Sequence, residues 1–165
     1  MAEDVAGSTV PPSGSFPASG RLAGIDYGTV RVGVAITDPE RRLASPHAVL
    51  TRRDRTQEAR YFQRLVADES IVGFVVGLPV HSHGGESEKS REARRFGDWL
   101  TQVTGRLVVY FDERFTTVVA EQLLNSAGLT SQRRKERRDK LAAQILLTAF
   151  LESGCRPTER AESLD

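Results

Sequence analysis

The stretch "RLAGIDYGTVRVGVAITD", residues 21–38, decides the fold because it contains two short strands joined by a tight turn. Arg21–Ile25 is short and mostly apolar, and Arg31–Thr37 alternates apolar residues with smaller ones, as expected for a hairpin. Asp26 ends the first strand close to Gly28, where a carboxylate is costly to desolvate without a partner. Asp26 therefore either shapes the turn or holds a cation.

The rest of the chain alternates strands with helices. Pro46 restricts a third strand to the edge of a sheet, because proline lacks the N–H that a central strand donates. Two apolar runs predict strands covered on both faces, and amphipathic spacing predicts helices, the last one preceded by a charged loop. This order predicts one α/β domain over residues 21–153, a mixed five-stranded sheet with helices on both faces. The further strands are expected at Ala44–Leu50, Ile71–Leu78 and Leu107–Phe111, and the helices at Arg55–Glu69, Glu88–Val103, Thr117–Ala127 and Asp139–Glu152.

Composition and the chain ends limit the possible protein classes. Residues 1–20 and 154–165 lack periodic apolar patterns, so we expect two flexible tails that are dispensable for folding. The content of 39% hydrophobic and 27% charged residues is typical of a soluble protein. Neither a membrane span nor a secretory signal is recognisable, so a cytoplasmic protein without a membrane partner is expected. Cys155 is the one cysteine, which excludes an intrachain disulfide, and we interpret it as an idle thiol.

Three carboxylates fall at positions where a parallel sheet binds ligands. Asp26 and Glu113 both follow strands, and ligands bind outside the carboxyl ends of such strands. Asp139 shares a helical face with Ala143 and Leu146, which predicts that it points toward the sheet. The alternative for Asp139 is an N-cap, since Asp is a favoured capping residue.

Three converging carboxylates repel one another unless a cation lies between them. Hard oxygen ligands without His or Cys favour Mg²⁺ or Mn²⁺, which keep water ligands and accept substrate phosphates. Sites of this kind drive phosphodiester cleavage, because a metal ion activates water and stabilises the leaving oxygen. We therefore predict that Asp26, Glu113 and Asp139 are both metal ligands and catalytic residues, with Asp112 as the competitor of Glu113.

A basic segment precedes Asp139 directly. Residues 133–138 carry five positive charges against one negative charge, which predicts either a solvated charge run or a clamp for a phosphate backbone. Its position beside the expected metal site favours the clamp. The predicted nucleic-acid contacts are Arg31, Arg114, Arg133, Arg134, Lys135, Arg137 and Arg138. The loop with His81, His83 and Gly84–Gly85 has too few ligands for a soft-metal site and is interpreted as an ordinary solvent loop.

Four motifs in order resemble the YqgF/RuvX family, RNase H-like proteins related to the RuvC Holliday-junction resolvases. They are "GIDYGTVRVGVA", "VVGLPV" followed by Gly84–Gly85, "DERFTT" and "DKLAAQILLTAFL", and they span Gly24–Leu151. The resemblance implies an RNase H-like fold and a nuclease for the 5′ end of pre-16S ribosomal RNA, with resolvase activity on branched DNA as a further possibility. It places Asp26, Glu113 and Asp139 at the acidic positions. RuvC relatives have their second acid after the fourth strand, where this chain has Leu78–Pro79, so Glu113 is a substitute.

Two other functions remain open at the level of sequence. One is an actin-like phosphotransferase, because "IDYGT" also resembles the phosphate loop of sugar kinases, although those enzymes need two such domains. The other is a nucleic-acid-binding factor without catalysis. The acids and arginines engage a backbone that RNA and DNA share, so the choice between them stays open. Symmetric cleavage of a four-way junction would require a homodimer.

Overall fold

The N-terminal hairpin places its first strand in the centre of a five-stranded sheet. The structure, a computed structural model, describes residues 15–79, 87–124 and 130–157. The strand order is β3-β2-β1-β4-β5, antiparallel within β1–β3 and parallel between β1, β4 and β5. The strands are β1 Arg21–Asp26, β2 Arg31–Thr37, β3 Ala44–Thr51, β4 Ile71–Leu78 and β5 Leu107–Asp112. The helices are α1 Arg55–Glu69, α2 Glu88–Thr104, α3 Thr117–Leu124 and α4 Ser131–Glu152, with a 3₁₀ turn at Glu113–Thr116.

Helices cover both faces of the sheet, as the sequence predicts. Successive residues of β1 point to opposite faces, so Leu22 packs in the cluster with α3 and α4 whereas Ile25 packs in the cluster with α1 and α2. On the α4 face the helix approaches the strands closely, because Gly24 has no side chain there. A Cβ atom at Gly24 would lie 2.9 Å from the Cβ atom of Leu147. The central strand therefore lies directly under α4.

Helix α4 begins at Ser131, so the expectation of a charged loop up to Asp139 is wrong. Thr130 is the N-cap, and its hydroxyl accepts a hydrogen bond from the backbone N–H of Arg133 at 3.3 Å. Asp139 lies inside the helix, one turn before Ala143, and the alternative of an N-cap role for it is excluded. The physical reason is that Arg, Lys, Gln and Glu form helices readily, so a dense charge run does not interrupt one.

The segment before β1 contacts the sheet. The ring of Phe16 packs over Gly73 of β4, so closely that a Cβ atom at Gly73 would lie 2.6 Å from a ring carbon. Arg41 donates hydrogen bonds to the carbonyl oxygens of Pro17 and Gly20, at 2.8 and 2.7 Å. Residues 1–14 and 158–165 lie outside the described residues. The tail and domain boundaries therefore stay predictions, with Phe16 as a contact that the sequence did not lead us to expect.

The length and the apolar character of the described helices bear on membrane crossing. Within residues 15–79, 87–124 and 130–157, none of them combines the length and the apolar character that such a crossing requires.

Candidate active site

Asp26 ends the central strand β1 on the face that α4 covers. It pairs with Gly33 of β2, and Gly33 pairs with Val49 of β3, so the three residues form a row across the sheet. A Cβ atom at Gly33 would lie 3.5 Å from the Cβ atoms of both Asp26 and Ala143, which is an ordinary contact. The half-buried Asp26 side chain thus lies beneath α4, beside Gly33, which has no side chain.

The turn that follows Asp26 is held by the half-buried Arg52. The guanidinium of Arg52 donates hydrogen bonds to the Tyr27 hydroxyl at 3.2 Å and to the Gly28 carbonyl at 3.4 Å. The nearly buried carboxylate of Glu58 pairs with the same guanidinium at 3.0 Å. Gly28 is required because a Cβ atom there would lie 2.4 Å from the Arg31 carbonyl oxygen. These contacts fix the path of the hairpin directly after Asp26.

Glu113 reaches the same face of the sheet because the chain turns immediately after β5. Asp112 is fully buried, and its carboxylate accepts hydrogen bonds from the backbone N–H and the Nε of Arg114, both at 2.8 Å. This pairing caps the 3₁₀ turn, in which Glu113 is the first residue. Of the two neighbouring acids, Glu113 lines a cavity with Asp26, and Asp112 has the N-cap position.

The carboxylate of Glu113 lies over Gly77 of β4. A Cβ atom at Gly77 would be only 2.8 Å from Oε1 of Glu113 and 3.3 Å from its Cγ. Any other residue at position 77 would therefore compete with this carboxylate for space. The acid thus comes from the turn after β5, and the adjacent strand β4 leaves room for it.

The two carboxylates influence each other electrostatically. The pKa of Glu113 is raised from 4.5 to about 7, mainly by burial and further by the negative charges of Asp26 and Asp112. Lys89 acts in the opposite direction. In the absence of a cation, Glu113 is therefore only partly ionised near neutral pH.

The cavity shared by Asp26 and Glu113 has a volume of about 270 Å³ and lies between the strand ends, α3 and α4. Its wall also contains Thr116, Thr117 and Arg138, together with the apolar residues Ala120, Ala142, Ile145 and Leu146. The side chain of Asp139 lies outside the described residues. Among the described side chains, no group of three His, Cys, Asp or Glu residues forms a metal site.

The donor chemistry of the cavity fits a hard divalent cation. Two of the described carboxylates line it, and a positive ion between them would counter the burial and the repulsion that raise the pKa of Glu113. Carboxylate oxygens without His or Cys among the lining residues are the ligands that Mg²⁺ and Mn²⁺ prefer.

The predicted basic contacts are distributed over two surfaces. Arg138 lines the cavity of Asp26 and Glu113, whereas Arg31 lines a second cavity on the other side of Asp26. Arg133 and Arg137 are exposed on α4, and Arg114 pairs with Asp112. The side chains of residues 134 and 135, and the whole of residues 80–86 with their histidines and glycines, lie outside the described residues.

Two residues at the site were missed by the sequence interpretation. Gly77 makes room for Glu113, and Lys140 lines the second cavity. Gly77 had a usable signal, because a glycine inside an apolar strand often marks a close approach of another group. Lys140 adjoins Asp139 but was masked by the strong charge run that precedes it.

Known proteins are similar to this chain in both sequence and fold. A family model described as "RuvX: Holliday junction resolvase" matches residues 20–153. A protein of Rhodopirellula baltica named "Putative pre-16S rRNA nuclease" is 49% identical over 149 residues, which cover 90% of this chain and 86% of the relative. A protein of Cereibacter sphaeroides with the same name is 38% identical over 138 residues, 84% of this chain and 86% of the relative.

The solved structures agree at the level of the fold. The RuvC structure of Thermus thermophilus superposes with a TM-score of 0.52 at 12% identity, covering 84% of this chain and 99% of RuvC. The RNase H-like fold and the enzyme class predicted from the sequence, a hydrolase of phosphodiester bonds, are thereby confirmed. The chain is a member of the RuvX family of Holliday junction resolvases.

Proposed function

We propose that this chain is a cytoplasmic endonuclease that uses a divalent metal ion, Mg²⁺ or Mn²⁺, to hydrolyse phosphodiester bonds of nucleic acid. The observation that carries the proposal is that Asp26 and Glu113, from two different strand ends, line one cavity under α4. Asp139 is the third acid of the proposed set, since it lies in α4 between Arg138 of this cavity and Lys140 of the second one.

Each residue has a distinct task in this proposal. The carboxylates of Asp26, Glu113 and Asp139 hold the ion, and Gly77 keeps the space into which Glu113 extends. A divalent ion bound there supplies the charge that activates water and stabilises the leaving oxygen. Arg138, which lines the cavity, binds a phosphate of the strand in this proposal, as an arginine in a cleft commonly does.

Precursor 16S ribosomal RNA is the substrate that we propose first, at its 5′ end. The support is the name carried by relatives that are 38–49% identical over most of their length. Four-way junction DNA is the second candidate, supported by the description of the family. Cleavage of a junction at two symmetric positions would require a homodimer, whereas cleavage of one RNA strand requires a single site.

The decisive experiment compares cleavage of structured RNA, single strands and a four-way junction, with Mn²⁺, with Mg²⁺ and with a chelator. Asp26→Asn keeps the size of the side chain and removes its charge, so we expect a folded variant whose cleavage falls by several orders of magnitude. Asp98→Asn is the matched control, because Asp98 is exposed on α2, on the opposite face of the sheet.

Cleavage assays, combined with assays of strand binding and ATP binding, separate the two alternative functions. Near-parental cleavage by a folded Asp26→Asn protein would refute the role of Asp26 as a metal ligand. Strand binding without cleavage under any metal condition would favour a binding factor. Saturable ATP binding at micromolar concentration would favour the actin-like phosphotransferase.

A further inference from the structure

A second cavity opens on the side of Asp26 that faces away from Glu113. It has a volume of about 490 Å³, within the range of roughly 300–1,000 Å³ that is usual for small-ligand sites. We call it the hairpin groove, because the turn between β1 and β2 forms one wall. Its lining consists of Asp26, Gly28, Thr29, Val30, Arg31, Gly33, Val49 and Lys140.

We propose that the hairpin groove binds an unpaired nucleic-acid strand, next to the phosphate that is cleaved at Asp26. Arg31 and Lys140 bind backbone phosphates of this strand, and Val30 and Val49 contact the sugar or base faces. The inference rests on the proposed nuclease function for the location of the cleaved phosphate. Beyond that function, we infer that the part of the substrate next to the cleaved phosphate lies in the groove and is single-stranded.

The charges of the groove are the first argument. Among its lining residues, Arg31 and Lys140 are positive and exposed, and Asp26 is the acidic one. Asp26 lies at the end that adjoins the proposed metal site, so the remainder of the groove presents positive charge. Closely placed Lys and Arg side chains attract a phosphate backbone and release its bound counterions.

The shape of the groove is the second argument. The row Asp26, Gly33 and Val49 crosses three strands, so Val49 lies roughly 10 Å from Asp26 at the usual spacing of strands. Gly33 leaves the middle of the row without a side chain. Ala143 of α4 lies over Gly33, but Asp26, Gly33 and Val49 all line the groove, so a ligand bound at Asp26 can extend past Gly33 toward β3.

The apolar side chains are the third argument, and they favour an unpaired strand. Val30 is 64% exposed and Val49 is 49% exposed, although both are hydrophobic and line a cavity. In a duplex the faces of the bases are stacked and hidden, whereas in a single strand they are free to contact such side chains. Two cations combined with two exposed valines therefore suit a single strand better than a duplex.

The test is strand binding by the full-length chain in the presence of a chelator, which keeps the strand intact. Fluorescence anisotropy would compare a labelled unpaired oligonucleotide with a duplex of equal length. The variants are Arg31→Ala, Lys140→Ala and the double variant. Arg106→Ala is the control, since Arg106 is exposed just before β5, at the opposite end of that strand from Glu113.

We expect each single variant to raise the Kd for the unpaired strand about five- to tenfold and to lower the salt slope by about 0.7, the value for one phosphate contact with a single strand. The control should match the parent. Parental Kd and salt slope in both variants would overturn the proposal. Tighter binding of the duplex, equally weakened by the two substitutions, would overturn the assignment to an unpaired strand.

The binding test distinguishes a failure of the groove proposal from a failure of the nuclease proposal. Weakened binding in the variants of a protein that never cleaves would support the groove and refute the nuclease. Normal strand binding in the variants of an active nuclease would refute the groove alone. For an active parent, the groove also predicts that Lys140→Ala raises KM by a similar factor with kcat largely retained.

Discussion

Gly77→Ala should disable the active site even though it adds a single methyl group. The new Cβ atom would lie 2.8 Å from Oε1 of Glu113 and 3.3 Å from Cδ1 of Leu146. Ordinary van der Waals contacts of a Cβ atom are 3.4–4 Å, so the Glu113 carboxylate must move by roughly 0.6–1.2 Å. A misplacement of about 1 Å at a catalytic centre can reduce the rate about 100-fold.

Two readouts test this prediction, the rate of strand cleavage and the thermal stabilisation by Mn²⁺, which reports binding to the folded state. Both should decrease in Gly77→Ala. Gly73→Ala is the matched control, since it adds a methyl group to the same strand, where it meets the ring of Phe16. Both variants should lose about 1–3 kcal/mol of stability from overpacking, and Gly73→Ala should keep its metal response and its relative cleavage rate.

A compensating substitution tests the same link between position 77 and Glu113. In a Glu113→Ala background, Gly77→Asp supplies a carboxylate from β4 into the space that the Glu113 carboxylate leaves. We expect this double variant to regain part of the cleavage and of the Mn²⁺ stabilisation that Glu113→Ala loses. A folded Gly77→Ala protein with parental cleavage and parental metal response would refute the link between position 77 and Glu113.

Three further predictions concern titration, the N-terminal segment and the basic part of α4. Folding raises the pKa of Glu113 to about 7, so the unfolding free energy of the metal-free protein should fall as the pH rises from about 4.5 to 7. In denaturant titrations, Glu113→Gln should remove about 1–3 kcal/mol of this loss. A parallel pH dependence in both proteins would contradict this. Deleting residues 1–14 should leave the Tm nearly unchanged, whereas deleting residues 1–20 should lower it measurably by removing the Phe16 contact; equal Tm values would show that this contact contributes little. Replacing residues 133–135 with Ala should weaken strand binding and reduce the salt slope by up to about 3, and an unchanged slope would exclude backbone contacts there.

The strands were predictable because their patterns are local. The alternation in β2 and the continuous apolar run of β4 follow from burial on one or both faces, and Pro46 placed β3 at the edge correctly. The tight turn likewise predicted an antiparallel hairpin. These features need no knowledge of distant residues.

The start of α4 and the surroundings of Glu113 were less accessible to sequence reasoning. Residues 133–138 are compatible with a loop or a helix, and the cap at Thr130 is too weak a signal to decide between them. The choice between Asp112 and Glu113 depends on the hydrogen bonds of Arg114 and on the space over Gly77, both set by tertiary packing. A glycine in a strand indicates that another group approaches the backbone closely, but the sequence does not show which residue that is.

The position of β5 at the edge of the sheet has a consequence for the motions of this protein. Asp26 belongs to the central strand, paired on both sides, whereas Glu113 follows a strand with one neighbour among the described strands. Opening of β5 and its 3₁₀ turn would separate the two acids while the hairpin stays folded, because edge elements open at a lower free-energy cost than central ones. In native-state hydrogen exchange, the amides of β5 should therefore exchange faster than those of β1. Bound metal should slow exchange most in β5, since it would link Glu113, after the edge strand, to Asp26 in the central strand.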